Sequence, residues 1–112
     1  MSIITYDEFA KVDIRSGTVV RAEPFEKARK PAYKIWVDFG PELGIKQSSA
    51  QITVNYTPES LVGRQVAGVV NLGTKNIAGF ESQFLVLGFE DEKGAIALIA
   101  PQPSVPNGHK LH

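Results

Sequence analysis

Twelve Lys and Arg balance twelve Asp and Glu over 112 residues, so the chain is formally neutral and lacks the excess positive charge on which nucleic-acid binders usually rely. The length leaves room for one domain, residues 1–112, and 43% hydrophobic with 21% charged residues is the composition of a folded globule rather than of a disordered segment. Without cysteine there is no disulfide framework and no thiolate metal site.

The first residues have neither a basic start nor a long apolar run, from which a cytoplasmic location is expected. A short helix is predicted instead. Thr5 can cap it, Glu8 stands three residues on as a capping box requires, and Phe9 and Val12 share a face that would close over the core as a lid. From Ile14 to Ala22 the residues are β-branched and strand-like, and Gly17 within them predicts a bulge or sharp bend. Lys27, Arg29, Lys30 and Lys34, with only Glu26 among them, then gather around Pro31. This is the best candidate for a local basic patch, and it reads equally well as a solvated turn.

Residues 33–39 form the clearest predicted strand, with Tyr33, Ile35, Val37 and Phe39 on one face and Lys34, Trp36 and Asp38 on the other. Trp36 on the polar face either packs beneath the amino-terminal helix, the reading favoured by the usual burial of large aromatics, or serves as a stacking platform. Gly40 to Gly44 predicts a turn. The next strand, 45–52, carries Gln47, Ser48, Ser49, Ala50 and Gln51, small or polar on both faces, which leaves room for something to approach its backbone. Thr57 and Pro58 open a helical turn that Gly63 can end, and 66–72 is a further strand.

Residues 69–82 carry the most information: a β-branched strand runs into a polar loop offering Asn71, Thr74, Lys75, Asn76 and Ser82. Two later runs, 84–89 and 96–99, are apolar on both strand faces, with a hairpin at Gly94 between them. One face can fill a core and the other needs a helix, a second subunit or a ligand. The apolar run 95–100 is too short to cross a bilayer, so no membrane insertion is expected. The Pro-rich tail from Pro101 to His112 should lie against the body or a partner subunit, because Val105 and Leu111 are apolar. At least five strands and two short helices indicate an all-β fold, a five-stranded Greek-key barrel of the OB type with short capping helices.

Several motifs that suggest chemistry fail on physical grounds. Gly68 to Lys75 approaches a phosphate-binding loop, but its lysine and hydroxyl are in the wrong order and no long helix follows. His109 and His112 lie beside Gly108 without a carboxylate between them, so no metal is expected. Ser48 and Ser49 have no nearby histidine to activate them. Asn55-Tyr56-Thr57 matches a glycosylation pattern that has meaning only in secreted proteins. Asp7, Glu8, Glu90, Asp91 and Glu92 read as helix-start and turn charges. Neither an enzyme nor a cofactor is expected.

From Phe9 to Gly108 the chain resembles the tRNA-binding-domain family, through Asp13, Arg15, Gly17, Lys34, Asp38, Gly40, Ser48, Ser49, Tyr56, Pro58, Glu59, Gly63, Asn71, Lys75, Gly79, Ser82 and Pro101. Gln47-Ser48-Ser49-Ala50-Gln51 and Val105-Pro106-Asn107-Gly108 are similar to its CsaA-like branch of export-related chaperones. The resemblance implies a homodimeric OB-fold that binds tRNA and also holds unfolded or presecretory polypeptides. The RNA site it implies comprises Asn71, Lys75 and Ser82, with Ser48 and Ser49 beside them and Arg29, Lys30 and Lys34 on phosphates; a peptide groove would be lined by Phe80 and Phe84. The alternative is a purely polypeptide-binding chaperone with an apolar groove. Where the family often has a proline-containing, more basic segment this chain has Gly73-Thr74-Lys75-Asn76, which implies an RNA affinity below the family norm.

Overall fold

The computed structural model describes all residues, 1–112. Alternation of apolar and polar residues every second position builds the principal sheet. Strand β1 (Ile14–Pro24) pairs antiparallel with β2 (Tyr33–Asp38) on one side and with β4 (Gln65–Val69) on the other. Strand β3 (Ile45–Ala50) pairs with β2, and β7 (Leu85–Val86) pairs with β4, giving the order β3-β2-β1-β4-β7. The alternation expected over 33–39 is realised: Tyr33, Ile35, Val37 and Phe39 are buried while Lys34, Trp36 and Asp38 remain partly exposed. With Val19, Leu61, Val66 and Phe84 these side chains fill the barrel, and Phe39 meets Phe84 edge-on at 5.0 Å.

The barrel is nearly closed, and its closure depends on side chains. Across the seam between β3 and residues 81–85, the Gln83 amide donates to the Gln47 carbonyl at 2.8 Å, whereas the Gln47 amide donates to the Gln83 side-chain oxygen at 3.0 Å. The Ser49 amide donates to Ser82 Oγ at 2.8 Å, and Ser48 Oγ donates to the Phe84 carbonyl at 2.7 Å. Small polar residues on both faces of β3 thus stand in for a missing stretch of ladder, satisfying backbone groups that would otherwise be buried unpaired.

Three one-turn helices decorate the barrel: α1 (Tyr6–Ala10), α2 (Gly40–Leu43), where a turn was expected, and α3 (Pro58–Leu61). The capping box of α1 is present, with Thr5 and Glu8 exchanging hydrogen bonds. Its expected role as a lid is not realised: α1 has no buried residue, and Phe9 and Val12 remain 38% and 41% exposed. Helix α3 is capped by Thr57 with Pro58 in its first turn and inserts Leu61 fully into the core.

Gly17 also acts differently from expectation. The ladder shift lies between Val19 and Arg21, placing the bulge at Val20. At Gly17 a β-carbon would stand 2.5 Å from Val37 Cγ1 and 2.9 Å from Phe39 Cδ1, so the missing side chain makes room for core packing.

The polar loop after β4 contains a second hairpin, β5 (Lys75–Ile77) with β6 (Phe80–Ser82), and a third, β8 (Gly88–Glu90) with β9 (Ile96–Leu98), follows β7. Asp91 organises the β8–β9 turn. It accepts from Asn55 and from the amides of Lys93 and Ala95, and these bonds, Asn55 first, hold its carboxyl below the ordinary aspartate value.

The tail lies against the body as expected. Gly108 donates to the Ser16 carbonyl at 2.7 Å, the Ser16 amide to that of His109 at 2.9 Å, and Leu111 to that of Ile14 at 2.8 Å. Arg15 ties the arrangement together: its Nε meets Asp13 at 2.6 Å and its Nη1 donates to the Gly108 carbonyl at 3.0 Å. Its guanidinium is pushed further up in pKa, chiefly by the hydrogen bond to Asp13. No helix is long and apolar enough to cross a membrane.

Candidate nucleic-acid interface

Two depressions flank the β5–β6 hairpin. The first, about 270 Å³, opens at the barrel seam and is lined by Ser48, Ser49, Thr74, Lys75, Ser82 and Phe84 among others. Six residues named from the sequence therefore meet in one place. They contribute unequally. Lys75 and Thr74 are exposed at the rim, and Ser49 is half-buried. Ser48, 2% exposed, spends its hydroxyl on the Phe84 carbonyl and on Ser82 at 3.2 Å, so it seals the barrel rather than facing a ligand. Ser82 is likewise buried, with its oxygen committed to the Ser49 amide.

Phe84 requires a correction of the same kind. It is 5% exposed and packs on Phe39 within the core, so although it borders the seam pocket it offers almost no surface to a peptide. The apolar surface beside the seam is made by Ile77, Leu85, Val86 and Ile96 instead, which line an adjoining cleft of about 450 Å³. Leu85, the neighbour of Phe84, is half exposed there. Alternation along a strand explains the exchange, since adjacent residues face opposite sides.

Asn71 does not reach the seam pocket. Its Oδ1 accepts from the Asp13 amide at 2.9 Å and its Nδ2 donates to the Lys11 carbonyl at 2.6 Å, so both ends of the amide clamp the chain between α1 and β1. Asn71 thus acts as a structural clamp, with its second N–H and second lone pair left open at an exposed position.

The second depression, about 530 Å³, lies between the turn leaving β1 and the tip of the β5–β6 hairpin. Here Phe80 meets Phe25 edge-on at 5.5 Å and Trp36 at 5.9 Å, and Lys34 Nζ sits 5.0 Å from the centroids of both phenyl rings. Trp36 does not pack under α1. Arg21 lies over its ring at 4.4 Å, and its indole N–H donates to Gln47 at 3.3 Å. Phe80 is thus half-buried in an aromatic and cationic cluster away from the apolar cleft.

Arg29 and Lys30 are exposed on the neighbouring turn and line neither depression. The chain contains two side-chain ion pairs, Asp13–Arg15 and Arg21–Glu23. Lys27, Arg29, Lys30, Lys34 and Lys75 therefore have no carboxylate within salt-bridge distance, and a neutral molecule keeps a set of unneutralised cations, three of them lining the two depressions. The glutamines of the seam were not singled out as site residues, because the Gln47–Gln83 exchange joins positions 36 residues apart. No group of three or more His, Cys, Asp or Glu residues is arranged to hold a metal.

A small Greek-key barrel with polar and aromatic depressions beside its strand-connecting loops belongs to the OB class, in which this region receives oligonucleotides and oligosaccharides. A family model described as "Putative tRNA binding domain" matches residues 14–110, and the chain belongs to this tRNA-binding-domain family. It is similar to the chaperone CsaA of Bacillus anthracis, with 48% identity over 99% of this chain and 100% of that one and a TM-score of 0.93. A second CsaA chaperone protein, from Picrophilus torridus, shares 42% identity over 98% and 100% of the two chains, again with a TM-score of 0.93. The methionine–tRNA ligase of Methanococcoides burtonii is 37% identical over 98% of this chain, which spans only 16% of that enzyme's length.

Proposed function

We propose that this chain is a non-catalytic, cytoplasmic, homodimeric tRNA-binding module that also holds unfolded or presecretory polypeptides. The observation that carries the RNA reading is Lys75, exposed and without a carboxylate partner at the rim of a hydrogen-bonding pocket, in a chain whose family is defined by tRNA binding. Lys75 would meet a phosphate, with Thr74 and Ser49 offering hydroxyls beside it. Lys34, Arg29 and Lys30 extend the same track. Ser48 and Ser82 support the pocket from below.

The polypeptide reading draws on the likeness to two CsaA chaperones and on the apolar cleft of Ile77, Leu85, Val86 and Ile96 next to the seam. Phe80 belongs to the RNA side of this arrangement. Salt separates the two activities, because phosphate contacts weaken steeply with ionic strength and burial of apolar peptide does not.

Lys75→Ala should lower tRNA affinity about tenfold at low salt, since a charge-assisted bond contributes about 1.5 to 3 kcal/mol. Suppression of client aggregation should change little. Lys75 is varied alone because Asn71→Ala would also unclamp α1. Full tRNA affinity in Lys75→Ala, measured by filter binding, would remove the seam pocket from the RNA site.

A further inference from the structure

Building on the tRNA-binding reading, we propose that the depression between the β1–β2 turn and the β5–β6 hairpin tip receives a single unpaired guanine base of the bound RNA. Its volume of about 530 Å³ accommodates a nucleoside. Its walls join three chemistries: the phenyl ring of Phe80, the ammonium groups of Lys27 and Lys34, and the carboxylates of Glu23 and Glu26.

The carboxylates decide what enters. Two lysines balance the two glutamates, so the depression as a whole does not select for phosphate, whereas the carboxylates give it acceptors for a base edge that donates hydrogen bonds. Glu23 is already held by Arg21 at 2.8 Å, which leaves Glu26, exposed and without a cation at salt-bridge distance, as the free acceptor. A carboxylate has two oxygens that accept side by side. Guanine matches them with adjacent N1–H and N2–H donors on its Watson–Crick edge. Adenine and cytosine offer one amino group beside a ring nitrogen that repels the second oxygen, and uracil offers one N–H between two carbonyls. Unpaired RNA bases are read in this way, stacked on an aromatic and hydrogen-bonded along that edge.

The hairpin tip supplies an independent observation. Ala78 and Gly79 are both left-handed, with φ of 49° and 84°. Two successive positive φ values define the tight hairpin turn that favours Asn-Gly, since an alanine there bears the steric cost of the left-handed region without the local hydrogen bonds of asparagine. Ala78 lines the depression, where an asparagine would add a larger side chain to the wall. The turn thus holds a locally unfavourable residue at a position where a small one lines the site.

The test titrates isotope-labelled protein with GMP, AMP, CMP and UMP in turn, following the indole N–H of Trp36, the only tryptophan, and the Gly79 amide by NMR. GMP should shift both signals with a dissociation constant at least about fivefold below those of the other three. Glu26→Gln should level the four nucleotides, and Ala78→Asn should weaken GMP while raising the melting temperature. Equal affinities, shifts confined to other residues, or a guanine preference that survives Glu26→Gln would overturn the assignment. If no nucleotide shifts these signals while tRNA still binds at low salt, the guanine site falls and the tRNA reading stands. If GMP binds selectively and tRNA does not bind, the tRNA reading falls and the guanine site stands.

Discussion

Gly17 and Asn71 show how a residue that matches a family pattern can owe its place to packing or to backbone hydrogen bonding. Both were noted in the sequence, one as a bend and the other as an RNA contact. Gly17 leaves the space that Val37 and Phe39 fill, and Asn71 bridges Lys11 and Asp13. Gly17→Ala should therefore destabilise the fold by about 1 to 3 kcal/mol through overpacking, lowering the melting midpoint on the order of 10 °C. An unchanged thermal melt would show that the core relaxes around the added methyl. The serines illustrate the same limit of sequence reading. Ser48, Ser49 and Ser82 lie together at the seam, but two of the three face inward, and no local pattern distinguishes a hydroxyl that seals a barrel from one offered to a ligand.

Among the elements, β2 was legible because its period-two pattern coincides with burial on one face, and α1 and α3 were legible through their caps. The β5–β6 hairpin was not, because its strands are three residues each and its turn uses Ala-Gly in place of Asn-Gly. The turn bearing Arg29 and Lys30 was legible as a basic element, with solvation and phosphate contact both open. With no ion pair to hold them, both side chains are free to meet phosphate, and if they do so, replacing both residues with alanine should reduce the salt dependence of tRNA binding by about one to two units in log–log slope. The measurement is affinity at several salt concentrations. An unchanged slope would mean that this turn is only solvated.

At the scale of the whole molecule, the neutral charge and the OB barrel were both evident from composition and strand pattern, and the family likeness extends over nearly the full chain. The covering of the barrel was harder to anticipate. Helix α1, expected to close over the core, instead leaves Tyr6, Phe9 and Val12 beside Leu111, and a further mainly apolar hollow of about 460 Å³ runs from Val66 and Ile99 to Val105 and Leu111. Such a surface calls for a second copy, so the chain should sediment as a dimer at micromolar concentration, with a two-fold interface above about 2,000 Å² in total. Phe9→Asp should shift it to monomer. A stable monomer of the unaltered chain would contradict the homodimeric reading.

The side-chain seam of the barrel has a consequence for how the molecule avoids itself. A closed barrel has no free strand to template the addition of another chain, whereas a sheet with an unpaired edge invites it. Here the Ser82 hydroxyl stands between those two conditions, because it occupies the Ser49 amide. Ser82→Ala should speed hydrogen exchange at Ser49 and expose β3 as an edge, making slow strand-swapped or fibrillar association visible by light scattering. Unaltered exchange and scattering would place the barrier elsewhere in the fold. In the native chain, the Ser82 hydroxyl shares with the Gln47–Gln83 and Ser48–Phe84 bonds the task of keeping this edge from intermolecular β-pairing.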